Sequence, residues 1–239
     1  MATYVLVHGG GHGGWCYRKV ARRLRSRGHE VHTPTLTGVG ERRHLVGPDV
    51  DLDTHITDIT AVLHFEDLHD VILVGHSYGG MVITGAADRA PDRVGRLVYL
   101  DAATPANGQS LAERAAPLMD AARRQARVID GVELVLFPGT EPLPHYGVVD
   151  PDDIAWMDER LTPHPWACFA QPLRLTNEPA LAAIRQYHVV CTATLATRDP
   201  ELMARARGEG RLWDIDTGHD LMITEPEAVT DALLKIAAS

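Results

Sequence analysis

A serine set between glycines, Gly75-His76-Ser77-Tyr78-Gly79, interrupts an otherwise apolar run. Ahead of it, Val71-Ile72-Leu73-Val74 reads as a buried strand, and residues 79–89 behind it read as a helix. A strand–turn–helix of this kind exposes one hydroxyl, and glycines two before and two after it keep the tight turn free of collisions. The helix directs its N-terminal dipole at negative charge developing beside that hydroxyl. A serine becomes a nucleophile only when a base takes its proton. Of the 13 histidines, His219 in Asp216-Thr217-Gly218-His219-Asp220 follows the last predicted strand and precedes the last helix. From there it can lean over the carboxyl ends of the strands toward Ser77. His76, inside the turn, is read as pointing away.

A base of this type needs a carboxylate to fix its tautomer and stabilise its charged form. Two residues qualify. Asp101 directly follows a predicted strand at 96–100 and, buried there, would need a partner. Asp199, in Thr197-Arg198-Asp199-Pro200, follows the next core strand, where a surface Asp-Pro turn also explains it. Asp101 is the first choice and Asp199 the alternative. Acyl chemistry also needs donors for an oxyanion. The glycine stretch His8-Gly9-Gly10-Gly11-His12-Gly13-Gly14-Trp15 lets backbone come close to a substrate. The amides of Gly10 and Tyr78 are the expected donors. Gly9 and His12 are expected to line the pocket, with a purely structural His12 an equal reading.

Around these residues, apolar strands alternate with helices. Strands are expected at 4–8, 30–35, 71–74 and 96–100, with helices at 15–27, 52–63 and 79–89. Continuous apolar strands separated by helices indicate an α/β fold, a mostly parallel sheet covered on both faces. Residues 105–180 break the alternation, with helical pieces at 109–127 and 151–161. A strand at 187–195, a helix at 201–207, a strand at 211–215 and a helix at 226–237 then complete the chain. The reading is a core of 1–104 and 181–239 interrupted by a mostly helical cap of 105–180. The cap aromatics Phe137, Tyr146, Trp156, Trp166 and Phe169 are candidates for the pocket, with Trp156 and Trp166 put forward as substrate contacts.

Composition narrows the function classes. A chain of 239 residues at 45% hydrophobic and 23% charged is ordinary for a globular domain. A net charge of −9 without a basic block argues against a nucleic-acid surface. The sequence has no apolar run of the roughly 20 residues a membrane span needs, and its N-terminus enters a strand at once. Three widely spaced cysteines suggest no disulfide framework or zinc knuckle. A cytoplasmic protein is expected, with oligomeric state left open and a homodimer among the options.

Two rival chemistries are weak. Gly9-x-Gly11-x-x-Gly14 is a formal dinucleotide fingerprint, but the second strand closes on His32-Thr33-Pro34-Thr35, without the acidic residue that would hold a ribose. His8 and His12 have i, i+4 spacing, which brings two ligands together only on a helix, and these lie in a glycine loop.

With these residues in hand, the chain resembles the α/β-hydrolase superfamily. More narrowly, it resembles bacterial esterases related to plant methylesterases and hydroxynitrile lyases. The resemblance runs through residues 4–15, Thr35-Leu36-Thr37-Gly38-Val39-Gly40-Glu41-Arg42, and residues 73–80, 97–105 and 217–226. In hydroxynitrile lyases of this type, a threonine follows the strand-end histidine and a lysine follows the catalytic one. Here those positions are Gly9 and Asp220, which implies an esterase-like site. Asp220 also replaces the uncharged residue typical of the plant methylesterases. In the plant relatives the acid follows the later strand, as Asp199 does. In some related dehalogenases it follows the earlier strand, in a stretch similar to Val98-Tyr99-Leu100-Asp101-Ala102, so the resemblance leaves both open. Those dehalogenases carry a carboxylate at the turn, and Ser77 excludes their chemistry.

The expectation is a serine hydrolase that cleaves a small to medium carboxylic ester through an acyl-enzyme, without cofactor or metal. The alternatives are a hydrolase-fold lyase, epimerase or cyclase, in which His219 and the oxyanion donors move protons, and a non-catalytic protein that binds a small ligand.

Overall fold

The computed structural model describes residues 1–137 and 144–239. The chain opens with strand β1 (Thr3–Val7), a short 3-10 turn, helix α1 (Arg18–Ser26) and strand β2 (Glu30–His32). Helix α2 (Leu52–Phe65), strand β3 (Val71–His76), helix α3 (Gly79–Arg89) and strand β4 (Val94–Leu100) follow. After a long intervening segment, strand β8 (Arg185–Cys191) and strand β9 (Leu212–Ile215) complete the main sheet, ordered β2-β1-β3-β4-β8-β9. Every strand pair in it is parallel.

The alternation of side chains along β1 shows how the sheet builds two cores. Val5 and Val7 pack on one face with Ile56, Ile59 and Met81 from α2 and α3. Tyr4 and Leu6 pack on the other with Val20 and Leu24 of α1. Helix α12 (Pro226–Ala237) adds Val229, Leu233 and Ile236 to that second core. Burying each Leu or Ile contributes roughly 2 kcal/mol. Where Asp51 begins α2, its side chain accepts from the Thr54 amide in a capping box. With every crossover made this way, the carboxyl ends of β1, β3, β4, β8 and β9 share one edge, where open α/β sheets hold their ligands.

Between β4 and β8 the chain forms helices α4 (Leu111–Arg114) and α5 (Ala116–Arg124), strands β5 (Arg127–Ile129) and β6 (Val132–Val135), and helix α6 (Pro151–Asp158). Strand β7 (His164–Pro165), helix α7 (Trp166–Ala170) and helix α8 (Glu178–Ala183) follow. The helix expected over 109–127 is broken at Ala115, because Pro117 lacks an amide hydrogen and opens a new helix at its first turn. The segment also holds an antiparallel sheet, β5-β6-β7, where mostly helix is expected. Its hairpin turns on Asp130 and Gly131, both at positive φ (50° and 81°), the conformation a two-residue turn of this type requires.

The strand expected over 187–195 ends at Cys191, and Thr192–Leu195 forms a helical turn, α9. The strand expected over 30–35 stops at His32, ahead of Pro34, which has no amide to donate to a sheet. Helices α10 (Pro200–Gly208) and α11 (Leu221–Thr224) flank β9. No helix among the described residues is long and apolar enough to cross a membrane. All three cysteines are buried free thiols.

Candidate active site

Ser77 sits between β3 and α3 at φ +54°, a left-handed conformation that costs a non-glycine residue about 1–2 kcal/mol. Neighbouring contacts hold it there. The Ser77 amide donates to the Leu100 carbonyl at 3.4 Å, and the Ser77 carbonyl accepts from Gly80 and Ala103 at 3.1 and 3.0 Å. A Cβ built on Gly75 would lie 2.5 Å from the Gly79 carbonyl oxygen, and one on Gly79 would lie 2.7 Å from that of Val7. Both flanking glycines are therefore sterically required.

Asp101, immediately after β4, is also at positive φ (45°) and is only 1% exposed. The His219 ring donates from Nδ1 to Asp101 Oδ2 at 2.5 Å, which leaves Nε2 as the basic nitrogen. Asp101 Oδ1 accepts from the Thr194 hydroxyl at 2.6 Å and meets an Arg198 nitrogen at 2.6 Å. Burial pushes the Asp101 carboxyl up. The hydrogen bond and charge of His219, the Arg198 charge and the Thr194 hydroxyl together outweigh that and hold it well below the usual carboxylate range. Asp199 behaves differently. It is exposed and serves as N-cap of α10, accepting from the Glu201 and Leu202 amides at 2.9 and 3.0 Å. The His219 ring meets Asp101, and the Asp199 carboxylate meets these helix amides instead.

The His219 backbone is pinned by a hydrogen bond from His76 Nε2 to its carbonyl at 3.0 Å. Burial drives His76 down to about 3, so this histidine is neutral. One residue on, Asp220 accepts from His12 Nε2 at 2.9 Å, while His12 Nδ1 donates to the Gly10 carbonyl at 2.8 Å. Burial alone would lower His12, but the Asp220 charge and hydrogen bond reverse that and raise it, while Asp220 is itself lowered. A fully buried ion pair thus ties the glycine loop after β1 to the loop carrying His219. Tyr146 leans on both, its ring 5.1 Å from His12 and 6.2 Å from His219. The Asp220 amide donates to the Tyr146 carbonyl at 3.3 Å. Beside that bond, a Cβ on Gly147 would come within 2.9 Å of Gly218 Cα.

Gly10, His12, Ser77, Tyr78, Asp101 and His219 all line one cavity of about 730 Å³. Its walls include Met119 and Ala122 of α5, Val135 of β6, and Phe137 and Phe169. The Gly10 amide makes no hydrogen bond within the protein among the described residues. Tyr78 turns its ring away to donate from its hydroxyl to His55 Nδ1 at 3.0 Å.

The expected pocket residues fare unevenly. His12 lines the cavity, but Gly9 is packed behind it, where a Cβ would lie 2.8 Å from Ser77 Cβ. Trp156 does not reach it: its ring meets Trp15 edge-on at 5.0 Å and lies under Arg160. Trp166 is also elsewhere, buried in the core under Arg123. Cation–π contacts hold both indoles where guanidinium groups can cover them. Thr194 and Arg198 carry no signal in the sequence, because nothing local marks a residue that contacts a carboxylate more than 90 positions away.

Among the described residues, one group has the side-chain types of a metal site. Ligand atoms of His55, His164 and Cys168 lie within 4.8 Å of one another. Both His55 nitrogens are already hydrogen-bonded, to Tyr78 and to the Thr37 carbonyl, and burial pushes the Cys168 thiol far up. The cluster is better described as core. His8 is likewise committed, its Nε2 accepting from Leu36 and its Nδ1 donating to Gly9.

The family model described as "Alpha/beta hydrolase family" matches residues 4–232. The carbendazim hydrolyzing esterase of Nocardioides sp. (strain SG-4G) is 39% identical over 98% of both chains. Methylesterase 18 of Arabidopsis thaliana is 38% identical over 46% of this chain and 43% of its own. Among solved structures, an extracellular alpha/beta-hydrolase from a Paenibacillus species superposes with a TM-score of 0.79 at 23% identity, covering 98% of each chain.

Proposed function

This chain belongs to the alpha/beta hydrolase family as an ester-cleaving member of it, and we propose that it works as a serine hydrolase through an acyl-enzyme. Ser77 attacks the ester carbonyl. His219 takes the serine proton through Nε2 and returns it to the departing alcohol. Asp101 holds His219 in the right tautomer and stabilises its charged form. The amides of Gly10 and Tyr78 receive the oxyanion, and the dipole of α3 adds to their field. Water activated by His219 then releases the acid. The observation that carries this reading is the short contact from His219 to a buried, ionised Asp101, on the wall of the cavity that Ser77 also lines.

Residues 105–180 act as the cap over this cavity, with 1–104 and 181–239 as core. The apolar walls favour an uncharged ester of small to medium size, and the similarity to a carbendazim hydrolyzing esterase supports an ester-cleaving role on a small molecule. Three buried thiols without a disulfide are in keeping with the cytoplasm.

A fluorophosphonate probe tests the assignment, with the adduct located by mass and p-nitrophenyl acetate hydrolysis followed in parallel. Labelling at Ser77, with label and activity both lost in Ser77→Ala, is the expected result. Folded wild-type protein that takes no label would leave the hydroxyl unactivated, and proton-transfer chemistry or simple ligand binding would replace this reading.

A further inference from the structure

Arg198 occupies an unusual position. Its guanidinium reaches back from the turn after α9 to the loop after β4, where NH2 donates to the Asp101 carbonyl at 2.9 Å and NH1 to the Ala102 carbonyl at 3.1 Å. The same NH2 lies 2.6 Å from Asp101 Oδ1 and 3.2 Å from the Thr194 hydroxyl. Asp101 Oδ2, on the other side of the carboxylate, receives His219. One carboxylate therefore has a permanent cation on one oxygen and an imidazole on the other, and Arg198 is only 21% exposed, so solvent screens it weakly.

Two consequences follow. Arg198 braces the positive-φ residue Asp101 by holding two successive carbonyls of its turn. It also takes up part of the negative charge that would otherwise stabilise His219 in its protonated form. We propose that Arg198 is a positioning residue that fixes Asp101 and shares its negative charge, so that activity persists to lower pH than it would without the guanidinium. This rests on the roles given above to Ser77, His219 and Asp101.

The other groups facing these residues do not reproduce the effect. Around His219 stand the neutral His76, with its ring 4.7 Å away, Tyr146, and Asp220, whose charge is already matched by His12. Around Asp101 stand Cys191, whose thiol donates to Oδ2 at 3.3 Å, and Thr194. His188, on β8, is lowered to about 4 by burial first and then by Arg211 and Arg198, and so brings no charge at neutral pH. Arg198 is the cation in direct contact with the carboxylate.

The test is the pH profile of kcat/KM for Arg198→Met and Arg198→Lys beside wild type, with melting temperatures as the check on folding. In Arg198→Met the acid limb should move up by about one pH unit, the size expected of one nearby charge in a partly screened site. Activity on the alkaline plateau should fall less than tenfold, and Arg198→Lys should return the limb most of the way. An unmoved limb in folded, active Arg198→Met overturns the proposal, as does an equal loss at every pH. If Arg198→Met does not fold, Arg198→Gln, which keeps donors but no charge, takes its place: a raised limb supports the proposal, and an unmoved limb or a uniform loss overturns it. Ser77→Ala separates the premise from the inference: hydrolysis near the wild-type rate there would defeat the serine mechanism itself, whatever Arg198 does.

Discussion

Asp101 and Asp199 are the same residue type, beyond the carboxyl ends of neighbouring strands, yet they do unrelated things. Asp101 leaves β4 and turns inward at positive φ, where a histidine, an arginine, a threonine and a cysteine close around it. Asp199 lies eight residues past the end of β8 and is followed by Pro200, which fits only the first turn of a helix. Its carboxylate is spent on the amides of that helix. What separates them is the chain that follows. Gly80 approaches the Asp101 loop so closely that a Cβ on it would lie 2.0 Å from the Ala103 carbonyl oxygen, so the loop is pressed against the serine turn. A carboxylate there meets His219, whereas that of Asp199, although this residue also lines the cavity, meets its own helix.

The contrast breaks most directly at the acid itself. Asp101→Asn should lower kcat for p-nitrophenyl acetate by about 10⁴-fold, since an amide leaves His219 in the wrong tautomer. Steady-state kinetics on Asp101→Asn, Asp199→Asn and the double variant would measure it. A comparable loss in Asp199→Asn would collapse the distinction. A third aspartate sharpens it: Asp220 is as buried as Asp101 but is paired with His12 as an ion pair. Asp220→Asn strands the His12 charge and should cost about 3 kcal/mol of stability by urea titration. A change below about 1 kcal/mol would mean that His12 is neutral.

Acid then distinguishes burial from exposure across the molecule. Burial lowers His8 and His76 to about 3, below the unfolded value of about 6.5. Their contribution to stability is therefore complete above about pH 6.5 and is lost as pH falls toward 3. The loss should be roughly 1.4 kcal/mol per pH unit for each of them. Urea midpoints measured from pH 7 to 4 should fall steeply, and a flat profile would contradict their buried, neutral state. The smallest effect belongs to Asp199. Asp199→Ala removes a helix cap and should cost about 1 kcal/mol with kcat changed less than twofold, read by thermal melting and kinetics together.

The parallel sheet, the serine turn and His219 are legible in the sequence because their signals are local: continuous apolar strands, glycines at fixed offsets, a loop between last strand and last helix. Asp199 reads in the sequence as an alternative acid or a surface Asp-Pro turn, and the structure makes it the N-cap of α10, a start that the Asp199-Pro200-Glu201 pattern signals locally. The hairpin at Asp130-Gly131 also has a local signal, a turn dipeptide between short apolar runs, which the helical reading of 105–180 passes over. Long-range partners are a different matter. His12 meets Asp220 across 208 positions and Arg198 meets Asp101 across 97, and no spacing rule links them. Trp156 and Trp166 escape prediction for a related reason. An aromatic in an insertion is drawn to whatever apolar or cationic surface the insertion folds onto, and only the folded segment decides that.

The contact of Gly147 with Gly218 divides the cavity wall into two kinds of territory. On one side, Met119 and Ala122 of α5 line the cavity, so exchanging them is expected to reshape the space offered to a substrate. On the other, residues 146 and 147 press backbone against backbone on the loop that carries the base. A methyl group added there displaces His219 before it alters any substrate contact. A library aimed at substrate range is therefore expected to succeed in α5 and to fail at the glycine seam, where a Cβ has no room.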